Sequence, residues 1–286
     1  MDTHVQATVG VLADDEAWKA TLFPPSWSGV ARRVYSGRVN LMISTMRFWV
    51  SMIGVFSFLA FQPTAQQAKP QNAQQVLERM ARATGAAQAA KIRSAHLTAT
   101  LQYPAQGIQG RYEAYYKAPN KFLSKVTIQG VGEILQGYDG KVGWEKNPLL
   151  GLRELSGAEL DQLRITAESG AQNDVRKLIR NPKLEGQAKV GDRNAYVVAG
   201  QMRTGAPMKI YIDSQRYLLL RMEMQVATPQ GSLRTTTFFE DYRKVDGVMY
   251  PFVMRQSSAG IEAVLKLERV RHNIPIDDSI FRKPKN

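Results

Sequence analysis

Residues 238–254 read FFEDYRKVDGVMYPFVM. Two aromatic, β-prone runs flank Asp246-Gly247, a dipeptide that favours a tight hairpin turn because positive φ costs least at glycine. The charged break between Glu240 and Lys244 reads as a solvated loop. Pro251 has no N–H to give a ladder, so it fits an edge or bulge better than a fully paired position. The stretch carries no nucleophile, histidine or metal-ligand cluster. It predicts two neighbouring antiparallel strands whose aromatics form a wall.

The same period-two alternation runs outward on both sides. Downstream lies 261–271. Upstream lie 183–190, 194–202, 207–213, 217–227 and 231–242, separated by turns containing Gly, Pro or Asp. Earlier come 92–103, 110–118 and 121–129. Residues 133–138 and 141–146 flank Asp139-Gly140, and a strand-like GLREL leads to Ser156. The helices that a parallel layout needs between strands are missing. The pattern predicts an α+β chain, mostly antiparallel β, with about ten or eleven strands in one strongly curled sheet, a half-open barrel.

Two helices are expected as cover for that sheet. Asn72 and Gln75 form a capping box before Ala73, Val76, Leu77, Met80 and Ala83, and Gly85 stops the helix. Ser156 and Glu159 form a second box before Leu160, Leu163, Ile165 and Ala167. That helix continues loosely over 172–180 and closes at Asn181-Pro182.

Residues 48–61, FWVSMIGVFSFLAF, carry no charge. They are shorter than the ~20 residues a membrane span needs and suit the apolar core of a secretory signal. Arg47 precedes this core, and the polar QPTAQQAKPQ follows it. A normal signal would open at Met42 or Met46 and end after Ala65 or Ala68. Residues 1–65 are therefore read as a spurious extension plus signal peptide, and 66–286 as one domain. The alternative is an uncleaved inner-membrane anchor. Export implies a periplasmic protein, and without any cysteine it has no disulfides.

The formal charge is +13. Lys and Arg are scattered singly among strands, without the stripe and stacking aromatics of a nucleic-acid surface, so the charge is expected to serve contact with anionic headgroups or simple solubility. His96 and His272 stand alone in strands, and no HxxE, HxH or HExxH spacing exists. GxSxG, P-loop and GxGxxG motifs are missing, and Gly130-Val-Gly132 is too short for a phosphate cradle. Asp277-Asp278 lacks the further oxygen ligands that calcium requires. No catalytic residue, metal or cofactor is expected.

A binding wall is expected instead. Along 217–226, one face carries Leu218, Leu220, Met222, Met224 and Val226, and methionine makes a soft, adaptable surface. Similar faces run through Tyr112, Ala114 and Tyr116, through Phe122, Val126 and Ile128, and through Ile261, Ala263, Leu265 and Leu267. Phe238 joins them from the hairpin. A large curled sheet encloses more volume than two thin helices fill, and a leftover apolar cavity suits acyl chains.

An ordered series of short motifs resembles the periplasmic lipoprotein carrier LolA and the wider outer-membrane lipoprotein-sorting superfamily, over most of 72–284. It comprises Gly110-Arg-Tyr112 with Lys117-Ala-Pro-Asn-Lys-Phe122, then Tyr138-Asp-Gly140 with Trp144. Next come Lys209-Ile-Tyr-Ile-Asp213, Leu219-Leu-Arg221 and Phe239-Glu-Asp-Tyr242. Val245-Asp-Gly-Val248, Tyr250-Pro251 and an Ile274-Pro-Ile tail with Phe281 and Pro284 complete it. The resemblance implies a half-open barrel with a helical lid over a hydrophobic cavity, holding a lipoprotein or lipid. It also implies an arginine that ties the lid shut, for which Arg111 is the nearest match. The expectation is a non-catalytic, monomeric carrier of acylated ligands, with a membrane surface or membrane protein as a further partner. The alternative is a sensor or interaction module of the same fold, using its basic face.

Overall fold

The computed structural model describes residues 70–285, apart from 173–175, 177 and 229–230. The expected signal segment and the cleavage sites at Ala65 and Ala68 lie outside these residues. The first helix, α1 (Ala73–Ala83), is followed by a single turn, α2 (Ala86–Ala89). Strands β1 (Ser94–Tyr103), β2 (Ile108–Lys117), β3 (Lys121–Ile128) and β4 (Gly132–Tyr138) come next, then β5 (Gly143–Asn147) and β6 (Gly151–Glu154). Helix α3 (Gly157–Gln172) interrupts the strands. The chain then forms β7 (Arg180–Val190), β8 (Arg193–Gln201), β9 (Pro207–Asp213) and β10 (Leu219–Thr228). It ends with β11 (Gly231–Val245), β12 (Val248–Ser258) and β13 (Ile261–His272).

All thirteen strands join one antiparallel sheet in the order β6-β5-β4-β3-β2-β1-β13-β12-β11-β10-β9-β8-β7. The sheet does not close: β6 and β7 each have one strand neighbour. Among the described residues, the one non-sequential pairing sets β1 against β13, joining the two halves. Thirteen exceeds the expected ten or eleven because the short β5 and β6 pieces are full members of the ladder.

The turn forms where its sequence predicts, but the charged break is strand and not loop, because β11 runs on to Val245. Val245 pairs with Val248 around Asp246 and Gly247, whose φ values of 48° and 84° suit a two-residue turn. β12 is a central strand, yet its ladder to β13 runs only from Val253 to Ser258. At Pro251 only β11 pairs, so the missing N–H breaks no bond there.

The first helix starts as expected. Asn72 Oδ1 accepts from the Gln75 N–H at 2.9 Å, and Gln75 Oε1 accepts from the Gln71 N–H. At the expected second capping box, Glu159 accepts a bidentate hydrogen bond from Arg153 at 2.8 and 3.2 Å. Asn181-Pro182 does not close α3. Both lie inside β7, where Asn181 has a φ of 51° and the register shifts before Lys183. A bulge accommodates the proline that would otherwise end a strand.

Helix α3 packs on β2, β3, β4 and β5 and also on β10. Its close approach needs Gly143: a Cβ there would lie 2.6 Å from Leu160 Cδ1 and 3.1 Å from Leu163 Cδ2. α1 packs on β7, and α2 packs on β12 and α3. The opposite face is covered in part by the C-terminal tail. Phe281 is fully buried there, and its carbonyl accepts from Trp144 Nε1 at 2.8 Å.

Candidate functional site: the inner face of the sheet

Cross-strand register sorts the side chains into rows that share a face. One row runs Val198, Ile210, Met222, Thr237, Gln256 and Ala263. A second links Phe239, Met254, Leu265 and Leu101. A third joins Leu267, Ala99, Tyr112, Val126 and Ile134. The last links His272, Ala95, Tyr116, Phe122 and Tyr138. With the period of two, these rows occupy the face toward α3, here called the inner face. Each of these residues is buried except His272, of which only the side chain is covered.

Most of the expected wall residues come together on this face. Tyr112, Tyr116, Phe122, Val126, Met222, Met224, Leu265 and Leu267 all lie on it and are buried. Three expectations need correction. Leu220 falls at a register shift between Leu219 and Arg221 and packs with Ala195, Val197 and Tyr211 in a cluster on the other face. Phe238 pairs with Arg221 on that same outer face, and its neighbour Phe239 takes the inner place. Leu218 is buried but precedes β10, so it does not continue the Met222–Met224 line. The side chain of Val226 lies outside the described residues.

Arg111 does not make the expected lid contact. It alternates with Tyr112, pairs with Thr100 and Thr127, and stands exposed on the outer face. The arginine that holds a helix comes from the helix itself. Arg79 Nη1 on α1 donates to the Tyr217 hydroxyl at 2.9 Å. Its guanidinium lies 5.5 Å from the Tyr217 ring centre, and Tyr217 stacks on Tyr196 at 6.0 Å. α1 places Val76, Leu77 and Met80 in the buried layer beneath it.

Polar groups interrupt the inner wall at a few places that sequence reasoning missed. His272 is not isolated. Its Nδ1 lies 2.8 Å from Asp246 Oδ2, and Nε2 meets the Tyr250 hydroxyl. A carboxylate only accepts, so Nδ1 carries the proton and Nε2 accepts from the phenol. Burial lowers the His272 pKa against the opposing pull of Asp246, and burial pushes the Tyr250 phenol up. A neutral imidazole beside a protonated tyrosine ties the Asp246-Gly247 turn to β13. A phenol held protonated is no nucleophile. His96 sits on the outer face, stacked on Tyr115 at 4.3 Å with Arg271 donating to Nδ1 at 2.9 Å.

The Tyr112 and Tyr116 hydroxyls are buried without a hydrogen-bond partner, as are both amide atoms of Gln256. Burial raises both phenol pKa values. Each hydroxyl biases the other's ionisation, yet the pair stops short of good hydrogen-bond geometry. Among the described residues no group of three or more His, Cys, Asp or Glu could hold a metal ion. No described helix is long and apolar enough to cross a membrane. On the outer side, a cleft of about 550 Å³ opens where β11 leaves β10, between Leu220, Phe238, Tyr242 and Arg216.

Among solved structures, the chain is similar to a DUF1329 family protein from Desulfovibrio piger, with 15% identity and a TM-score of 0.50 over 73% of this chain and 96% of that one. It is also similar to a LolA superfamily protein from Nitrosomonas europaea, with 19% identity and a TM-score of 0.49 over 75% and 99%. A third is an outer-membrane lipoprotein-sorting protein domain from Vibrio parahaemolyticus, with 14% identity and a TM-score of 0.45 over 67% and 90%. No family model and no curated protein matches the chain. The likeness is one of fold.

Proposed function

With the LolA-like fold as premise, we propose that this chain is a non-catalytic periplasmic carrier. It holds an acylated ligand, a lipid or a lipid-modified protein, against the inner face of its open sheet. The observation that carries this reading is the composition of that face. Met208, Met222, Met224 and Met254 lie among Leu101, Leu265, Phe239 and Tyr112, all within 5% exposure. Unbranched thioethers repack around a flexible chain at little cost. Protein atoms already cover these side chains, which stabilises the sheet by roughly 1.5–3 kcal/mol each, so an acyl chain would enter by displacing that cover.

In this reading α1 and α3 form the lid. α3 reaches both β2–β5 and β10, so one helix bridges the two halves of the sheet. α1 is held by Arg79 on Tyr217 and by its buried Val76, Leu77 and Met80. Met222→Lys should abolish uptake of a fluorescent fatty-acyl probe while circular dichroism shows an intact sheet, and Met222→Leu should keep uptake. If the folded wild-type chain takes up no acyl probe, the carrier reading fails.

The formal charge of +13 supports a second reading, an interaction module that meets an anionic membrane through its basic surface. Salt-sensitive binding to anionic vesicles without any acyl uptake would favour it.

A further inference from the structure

We propose that Gln256 is the polar anchor for the head of a fatty ligand, one that offers a hydrogen-bond acceptor and a donor side by side. A protonated carboxyl and a carboxamide both meet that description. The inference rests on the carrier reading and specifies the ligand chemistry of the same face.

Gln256 is 2% exposed, and neither Oε1 nor Nε2 has a hydrogen-bond partner. A buried primary amide left unpaired costs free energy, and such groups are rare enough to need a physical reason. Its neighbours explain why no protein group answers it. Along β12, inner-face alternation places Met254 on one side and Ser258 on the other. Met254 offers nothing polar to match an amide. Ser258 Oγ is engaged by Thr235 Oγ1 at 3.3 Å and by the Arg234 carbonyl at 3.4 Å. Across the strands lie Thr237 and Ala263. Ala263 has only a methyl group and offers the amide no hydrogen bond.

The chemistry of the missing partner follows from the two orphan atoms. An amide presents its carbonyl oxygen and an N–H along one edge. A neutral carboxyl or a primary carboxamide returns the complementary pair along one edge of its own. An ester has acceptors only and leaves Oε1 unmatched. A carboxylate likewise only accepts, and it would carry a charge into an apolar wall at high cost. Surrounding Met222 and Met254 suit the hydrocarbon that follows the head group.

The test is displacement of a fluorescent fatty-acyl reporter from the full chain by oleic acid, oleamide and methyl oleate. The wild type should bind oleamide about tenfold more tightly than methyl oleate, the factor expected for one good hydrogen bond. Oleic acid should match oleamide at low pH and weaken as pH rises, while oleamide holds constant; that contrast separates the two head groups. Gln256→Met should keep methyl oleate binding and erase the oleamide preference. Reporter binding with equal affinity for all three ligands, or a preference that survives Gln256→Met, overturns the anchor and leaves the carrier reading standing. Failure of the wild type to bind the reporter overturns both.

Discussion

Arg79 and Tyr217, 138 residues apart in sequence, form a polar contact between α1 and the segment that leads into β10, with Nη1 donating to the phenol oxygen at 2.9 Å. The ring beneath the guanidinium adds a cation–π component. A hydrogen bond and a partly exposed cation–π contact together are worth about 1–2 kcal/mol. Arg79→Ala should therefore speed amide exchange across 73–83 by about tenfold, with exchange in β12 and β13 unchanged. Equal acceleration everywhere would mean that Arg79 supports the whole fold rather than the position of one helix.

Gln256→Met should raise stability. It replaces an unpaired buried amide with an apolar group of similar volume, which removes a desolvation cost of about 1–3 kcal/mol. Urea denaturation of ligand-free protein measures it through the midpoint. A lower midpoint would show that the amide has a partner in solution.

Acid should weaken the fold first through its histidines. Burial is the main cause that lowers the His272 pKa, and burial followed by Arg271 lowers that of His96, so the folded state binds these protons less readily than the unfolded state. The stability they permit is complete above the ordinary value of 6.5 and is lost as pH falls from there through their folded values. At still lower pH the exposed Asp278, held at about 2 by Lys117 and Lys121, gives up its ion pairs between 3.8 and that value. Thermal midpoints should hold level from pH 8 down to the ordinary histidine value of 6.5 and fall from there to pH 5. His272→Gln should flatten part of that slope, and an unchanged slope would remove His272 from the account.

Phe281→Ala should destabilise by about 3–5 kcal/mol, because the ring is fully buried against the outer face beside Trp144. Denaturant titration reads this directly. A loss under 1 kcal/mol would place the tail outside the cooperative unit.

Features set by local backbone chemistry were legible in the sequence. The Asp246-Gly247 turn follows from which residues tolerate positive φ, and the Asn72 cap from a side chain three residues from its donor. Features set by long-range register were not. Phe238 and Phe239 are adjacent aromatics, and only pairing to Arg221 and Met254 decides which one faces inward. Leu220 continues an apolar line on paper, but the bulge after Leu219 turns it away. His272 meets Asp246 and Tyr250 only once β12 and β13 are folded together, so no spacing rule finds it. The unpaired state of Gln256 is likewise a property of neighbours on three strands.

The two ends of the sheet have a further consequence. An exposed strand edge is a template for another chain. β7 carries Pro182, two register shifts and the charges of Lys183, Glu185 and Lys189, so it offers few consecutive donors and acceptors to an incoming strand. β6 is only four residues long. Neither edge is a good seed for self-pairing, so the sheet can stay open without recruiting further copies of itself edge to edge.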